Sequence, residues 1–156
     1  MFERVTGSPE ETAEIAGAIA KKLPPGTVIC LNGDLGAGKT LFVQNLARAL
    51  GIKGEVTSPT FNLMNIYNDG QMPVVHFDLY RLESAAELED IGFYEYADVP
   101  DGLAVIEWAD KFPDNMPEDY LAVTLERGEQ ETERHLIFSA AGRAVDRWCR
   151  RNKIVW

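Results

Sequence analysis

The run Gly33-Asp-Leu-Gly-Ala-Gly-Lys-Thr40 constrains this chain more than any other stretch. It reads G-x-x-x-x-G-K-T, the pattern of a phosphate-binding loop. An apolar run, Val28-Ile29-Cys30-Leu31, leads into it. Leu41, Phe42, Val43, Leu46, Ala47 and Leu50 follow it at helical spacing. Strand, glycine loop and helix, in that order, turn a short pattern into a site. The glycines permit backbone angles that a Cβ forbids and let a ligand approach the main chain. Successive N–H groups then face inward as an anion nest, and the dipole of the following helix adds to the same spot. Lys39 is expected to reach the outer phosphates, and the Thr40 hydroxyl to ligate Mg2+.

Composition sets the bounds. The chain of 156 residues, 46% hydrophobic and 26% charged, is expected to form one domain over 1–156. No apolar run nears the ~20 residues that cross a bilayer. Met1-Phe-Glu-Arg-Val lacks the basic-then-apolar shape of a signal peptide, so a cytoplasmic location is expected. Cys30 and Cys149 lie far apart and give neither a metal-ligand spacing nor a disulfide framework. With 25 acids against 15 bases, the net charge is −10. Nucleic-acid affinity rests largely on Lys and Arg, so such a chain is not expected to hold RNA or DNA unaided. The basic cluster Arg143, Arg147, Arg150, Arg151 and Lys153 reads as the solvated face of a last helix.

Ser8-Pro9-Glu10-Glu11 opens the first helix. Ser8 suits the N-cap, Pro9 the first helical position, and Glu11 completes a capping box. Pro24-Pro25-Gly26 ends it. After the phosphate loop and its helix, Val56-Thr-Ser-Pro-Thr-Phe61 reads two ways. Either it is a second nucleotide loop in which Thr60 senses Mg2+ or the terminal phosphate, or it is a Ser-Pro turn with capping hydroxyls. Phe61, Leu63 and Ile66 alternate as in a half-buried strand. Asn68-Asp69-Gly70 turns the chain, and Val74-Val-His-Phe77 returns antiparallel.

An apolar strand that delivers an acid at its carboxyl end is the Walker B arrangement. Asp78 fits it, and so does Glu107 after Leu103-Ala-Val-Ile106. His76, between apolar residues, reads as structural rather than catalytic. Ser84-Ala-Ala-Glu87 is a second capping box before a short helix. Phe93-Tyr-Glu-Tyr96 reads as a core-covering loop or a partner surface. Trp108 either reports on the site or packs. Tyr120–Leu125 and His135–Phe138 read as strands around a charged turn, and 142–151 as a last helix.

The segments LNGDLGAGKT, TSPTF, HFDLYRL and VIEW, at these separations, resemble the bacterial TsaE (YjeE) family, the ATPase of tRNA threonylcarbamoyladenosine synthesis. The glycine loop is shared by many families; HFDLYRL and IEW are far more specific. The resemblance implies a P-loop NTPase-like three-layer α/β fold with a mixed, mostly parallel sheet. It implies ATP and Mg2+ as cofactors, and TsaD and TsaB as protein partners. It assigns phosphate binding to Gly33, Asp34, Leu35, Gly36, Ala37, Gly38, Lys39 and Thr40. It gives Mg2+ to Thr40 and Glu107, with Asp78 in the Walker B position, and so makes Lys39, Glu107 and Asp78 the catalytic set. Thr60 falls in the switch-like loop, and Trp108 follows the acid. Glu11 is implied near the adenine, and Arg134 near a phosphate or the ribose. Leu41 stands where many members carry a second threonine.

Three functions remain on these residues. An ATPase that resets a partner complex would be slow alone, since no arginine stands in a stereotyped finger position. A small-molecule kinase would need an arginine-bearing lid, and Arg81 is the only arginine nearby in sequence. A nucleotide-clamped interaction module would need no turnover. A GTPase is set aside: the Asn152-Lys153 pair is followed by Ile154-Val155 rather than completing N-K-x-D, and no D-x-x-G occurs.

Overall fold

The computed structural model describes residues 2–34, 36–59, 63–98 and 100–152. Seven strands form one sheet: β1 (Phe2–Thr6), β2 (Thr27–Asn32), β3 (Met64–Tyr67), β4 (Val74–Asp78), β5 (Leu103–Glu107), β6 (Tyr120–Arg127) and β7 (Arg134–Ala141). Their order across the sheet is β1-β7-β6-β2-β5-β4-β3. The centre, β6-β2-β5-β4, is parallel. Antiparallel pairs close both flanks, β4 with β3 on one side and β6-β7-β1 on the other.

The sheet separates two apolar clusters, because alternate residues of each strand face opposite ways. Ile29, Leu31, Leu103, Val105, Leu121 and Val123 face α1 (Pro9–Ala20) and α2 (Lys39–Ala49). Val28, Cys30, Phe77, Ala104 and Ile106 face α3 (Ala86–Asp90) and α4 (Phe93–Ala97). The last helix, α5 (Arg143–Arg151), sends Cys149 into the first cluster. This is the three-layer arrangement expected. Phe42, Leu46 and Ala47 are buried at the helical spacing of the sequence. Burial of a side chain such as Phe42 is worth about 1.5–3 kcal/mol.

Ser8 caps α1 as expected: its Oγ accepts from the Glu11 N–H at 3.2 Å. The Glu11 carboxylate reaches back one residue further than in a standard box and accepts from the Gly7 N–H at 2.8 Å.

Four expectations need correction. β1 was not foreseen. Three of its five residues are exposed, and Val5 faces solvent, so no alternation marks it. Ile66 is 41% exposed, outside the core face of its strand. The second capping box does not form: the N-cap of α3 is Ala85, and no side chain caps it. There Ser84 accepts the Glu87 N–H through its backbone carbonyl at 3.2 Å, within a turn. Phe93-Tyr-Glu-Tyr96 is helical rather than a loop, with Phe93 buried and Tyr94 exposed.

Candidate functional site

The site lies at the carboxyl ends of β2, β5 and β4, where open α/β sheets bind ligands. Between β2 and α2 the glycine loop turns through positive φ at Gly33 (143°), Gly36 (80°) and Gly38 (103°), and Gly38 is the N-cap of α2. A Cβ on Gly33 would stand 2.5 Å from the Leu125 carbonyl oxygen. At Gly36 it would meet the Arg127 guanidinium. The loop is therefore packed against the end of β6: Gly33 has no room for a side chain, and at Gly36 the Arg127 guanidinium would have to move aside. Leu35 and Thr60 lie outside the described residues.

Lys39, the first residue of α2, is 6% exposed. Its Nζ donates to the Gly33 carbonyl at 2.6 Å and lies 4.1 Å from the centre of the Trp108 ring. Burial pushes its ammonium below the usual lysine range, while Glu107, Asp78, Asp110 and Asp34 pull it back up. Thr40 is the second residue of α2, and Leu41 after it is partly exposed. Ala37 is buried, and its N–H donates to the Asp34 carbonyl at 3.1 Å.

Asp78 and Glu107 are partners across the parallel β4-β5 ladder, so they stand side by side on the face that α2 covers. Asp78 Oδ2 accepts from Ser58 Oγ and Oδ1 from the Tyr80 N–H, both at 3.0 Å. Ser58 thus ties the segment after Val56 to the site. Glu107 is 3% exposed, and its Oε2 lies 2.6 Å from Nε2 of the fully buried His76. Trp108 follows with φ of 62°, a left-handed angle rare for a large side chain. That turn lays the indole on Lys39 and 5.0 Å from the Tyr80 ring.

The sequence reading set Arg81 near the loop, but others meet the loop in the fold: Arg134, which the family resemblance implies at a phosphate or the ribose, and Arg127, which the sequence reading did not single out. Both arrive from late strands. Arg134 Nε donates to the Ala37 carbonyl at 3.0 Å, and its Nη1 to the Glu131 and Glu133 carbonyls. The Arg127 guanidinium lies against Gly36. Asn32 was also missed: its Oδ1 is buried with no hydrogen-bond partner, and the residue lines the site. No local signal marks these residues. They depend on β6 lying beside β2 and β7 beside β6.

Two cavities flank the loop. One, about 480 Å³, is lined by Asn32, Lys39, Trp108, Asp110 and Arg127. The other, about 250 Å³, is lined by Pro9 and Thr12 of α1, Gly38, Leu41, Thr132 and Arg134. Glu11 does not line it; its neighbours on α1 do. The donor set suits a hard cation with a polyphosphate: a hydroxyl and two carboxylates beside a glycine nest and an ammonium group. Among the described residues no group of three or more His, Cys, Asp or Glu could hold a metal alone. Mg2+ does not require one, since it keeps water and phosphate oxygens among its ligands. Asn32 Oδ1, buried without a donor, fits a water of such a shell.

A glycine loop on a helix N-terminus, carrying a buried lysine and facing two strand-end carboxylates, gives a P-loop NTPase-like α/β fold its characteristic site. The sequence profile described as "Threonylcarbamoyl adenosine biosynthesis protein TsaE" matches residues 6–136, and the chain belongs to that family. It is 41% identical over 144 residues to the tRNA threonylcarbamoyladenosine biosynthesis protein TsaE of Bacillus subtilis (strain 168), covering 92% of this chain and 89% of that one. It is 40% identical over 121 residues to the protein of the same name from Treponema pallidum (strain Nichols), covering 78% of this chain and 88% of that one. The fold is similar to the crystal structure of Bacillus subtilis YdiB, with a TM-score of 0.79 at 33% identity over 98% of this chain and 94% of that one. Among the described residues, no helix is long and apolar enough to cross a membrane.

Proposed function

We propose that this chain binds ATP with Mg2+ and hydrolyses it in support of tRNA threonylcarbamoyladenosine formation, acting on a TsaD–TsaB complex rather than on tRNA. The observation that carries the reading is Lys39: a buried ammonium group that donates to the Gly33 carbonyl inside the glycine loop. Asn32, Lys39 and Arg127 line the 480 Å³ side of the loop, where the phosphates would lie. Pro9, Thr12 and Arg134 line the smaller cavity on α1, which would receive the adenine.

On binding, Lys39 exchanges the Gly33 carbonyl for phosphate oxygen, and the N–H groups of residues 36–40 face the same charge. Thr40, Asp78 and Glu107 are the residues that would hold Mg2+, which would neutralise phosphate charge there. Glu107, an acceptor-only carboxylate when ionised, takes hydrogens from site water. Arg134 and Arg127 keep the loop in shape against β6 and β7. Arg134 is already spent on three backbone carbonyls, which supports slow turnover until a partner completes the site.

ATPase rate titrated against TsaD–TsaB tests this. A rise of roughly 10-fold or more is expected. A rate high in the isolated chain and unchanged by the partners would sink the partner-coupled reading. Phosphate appearing on a metabolite instead of free in solution would favour a kinase.

A further inference from the structure

His76 is the one histidine among the fully buried residues, and it occupies a position that the apolar core did not require. On β4, Val74, His76 and Asp78 share the face that α2 covers, while Val75 and Phe77 face the other cluster. On β5, Leu103, Val105 and Glu107 share the same covered face. The ladder pairs His76 with Val105 and Asp78 with Glu107, so His76 lies one pleat behind Glu107 on the adjacent strand. For a 2.6 Å contact the Glu107 side chain must lean back along the sheet, away from open solvent, to reach Nε2.

The pair is costly. A buried carboxylate and a buried imidazole both lose hydration, and well-packed apolar residues in such places are often no less stable. The far nitrogen of the ring, Nδ1, is buried with no hydrogen-bond partner. A ring with its proton on Nε2 donates to the carboxylate and leaves only a bare lone pair at Nδ1. The opposite tautomer would orphan an N–H donor and set two acceptors against each other. The contact thus fixes both the tautomer and the carboxylate's direction. A purely structural histidine would not need the acid at the strand end as its partner. A carboxylate that must keep one orientation beside Lys39 does need a fixed donor.

We propose that His76 is a positioning residue: by donating from Nε2 to Oε2, it holds Glu107 in the orientation that receives the nucleotide-bound divalent cation. The inference rests on the ATP and Mg2+ reading above. His76 itself touches neither nucleotide nor metal; it acts through Glu107. Groups that orient a metal-binding side chain typically contribute 10- to 100-fold in metal affinity.

The test uses ADP, which removes turnover, on the full chain and three variants: His76→Gln, His76→Asn and His76→Leu. Glutamine carries an N–H at about the reach of Nε2, and asparagine only at about the reach of Nδ1. ADP affinity is measured by calorimetry with and without Mg2+, and folding by thermal unfolding. Without Mg2+ all four proteins are expected to bind ADP within about 2-fold of one another. The gain on adding Mg2+ is expected to fall about 10-fold or more in His76→Asn and His76→Leu, and to return to within about 3-fold in His76→Gln. Equal loss in the Gln and Asn variants overturns the proposal, as does an undiminished gain in His76→Leu. So does a loss of ADP affinity that is the same with and without Mg2+. The Gln and Asn comparison stands even if the leucine variant fails to fold. Wild-type protein that binds ADP with no Mg2+ effect overturns the positioning role alone. Folded wild-type protein that binds no adenine nucleotide removes the functional reading beneath it.

Discussion

The ends of β4 and β5 are neighbours in one ladder and finish on the same type of side chain, yet they are built differently. Asp78 ends β4 half-buried, and its two oxygens are held by Ser58 and by a backbone N–H two residues on. Glu107 ends β5 buried, and its carboxylate meets a histidine from the strand beside it. After Asp78 the chain continues with no positive φ until Gly92. After Glu107 it turns at once through a left-handed tryptophan that lands on Lys39. The difference teaches that an acid at a strand end is not one device. The shorter residue sits where its own loop can hold it and where it adjusts with that loop. The longer one is fixed by the core, so its placement is set before any ligand arrives.

The contrast can be broken in order of effect. Glu107→Ala should cost roughly 100- to 1000-fold in partner-stimulated ATP turnover, and Asp78→Ala about 10-fold less than that. The reverse ranking in steady-state phosphate release would show that the half-buried acid is the rigid one in function. Glu107→Ala should also lower stability by about 1–3 kcal/mol, because it orphans a buried donor on His76. Asp78→Ala, whose partners can turn to water, should stay within about 1 kcal/mol by urea unfolding. Trp108→Ala removes the indole from Lys39 and should weaken ADP binding several-fold, by about 0.5–2 kcal/mol. Ser58→Ala is the smallest change. Asp78 keeps the Tyr80 N–H, so turnover should fall by no more than about 3-fold. A larger loss would make the Ser58 segment part of the site rather than a tether.

What the sequence revealed follows the range of its signals. The glycine loop, the capped first helix and the β3-β4 hairpin are local, written in residues three to ten apart, and they stand where expected. Asp78 and Glu107 were legible as strand-end acids, because an apolar run and its last residue are adjacent. That they are ladder partners was not legible, since it depends on β4 and β5 being neighbours. Arg127 stayed hidden for the same reason: 91 positions separate it from Gly36 in the numbering, and only the sheet order brings them together. Arg134 was reached through the family resemblance alone, since it lies 97 positions from Ala37, whose carbonyl it holds. His76 looked like a core residue because it is one; its partner lies 31 positions away. β1 was missed because an edge strand with an exposed face carries no periodic mark.

That edge strand ties the two ends of the chain together. β1 has a single neighbour in the sheet, and it is β7, the last strand made. During synthesis, residues 2–6 have nowhere to dock until residues 134–138 have emerged. Closure over so long a span is entropically expensive and tends to slow folding. Arg134 opens that same late strand and grips the glycine loop. The nascent polypeptide therefore cannot finish packing its glycine loop until residue 134, 97 positions after Ala37 of that loop, has left the ribosome.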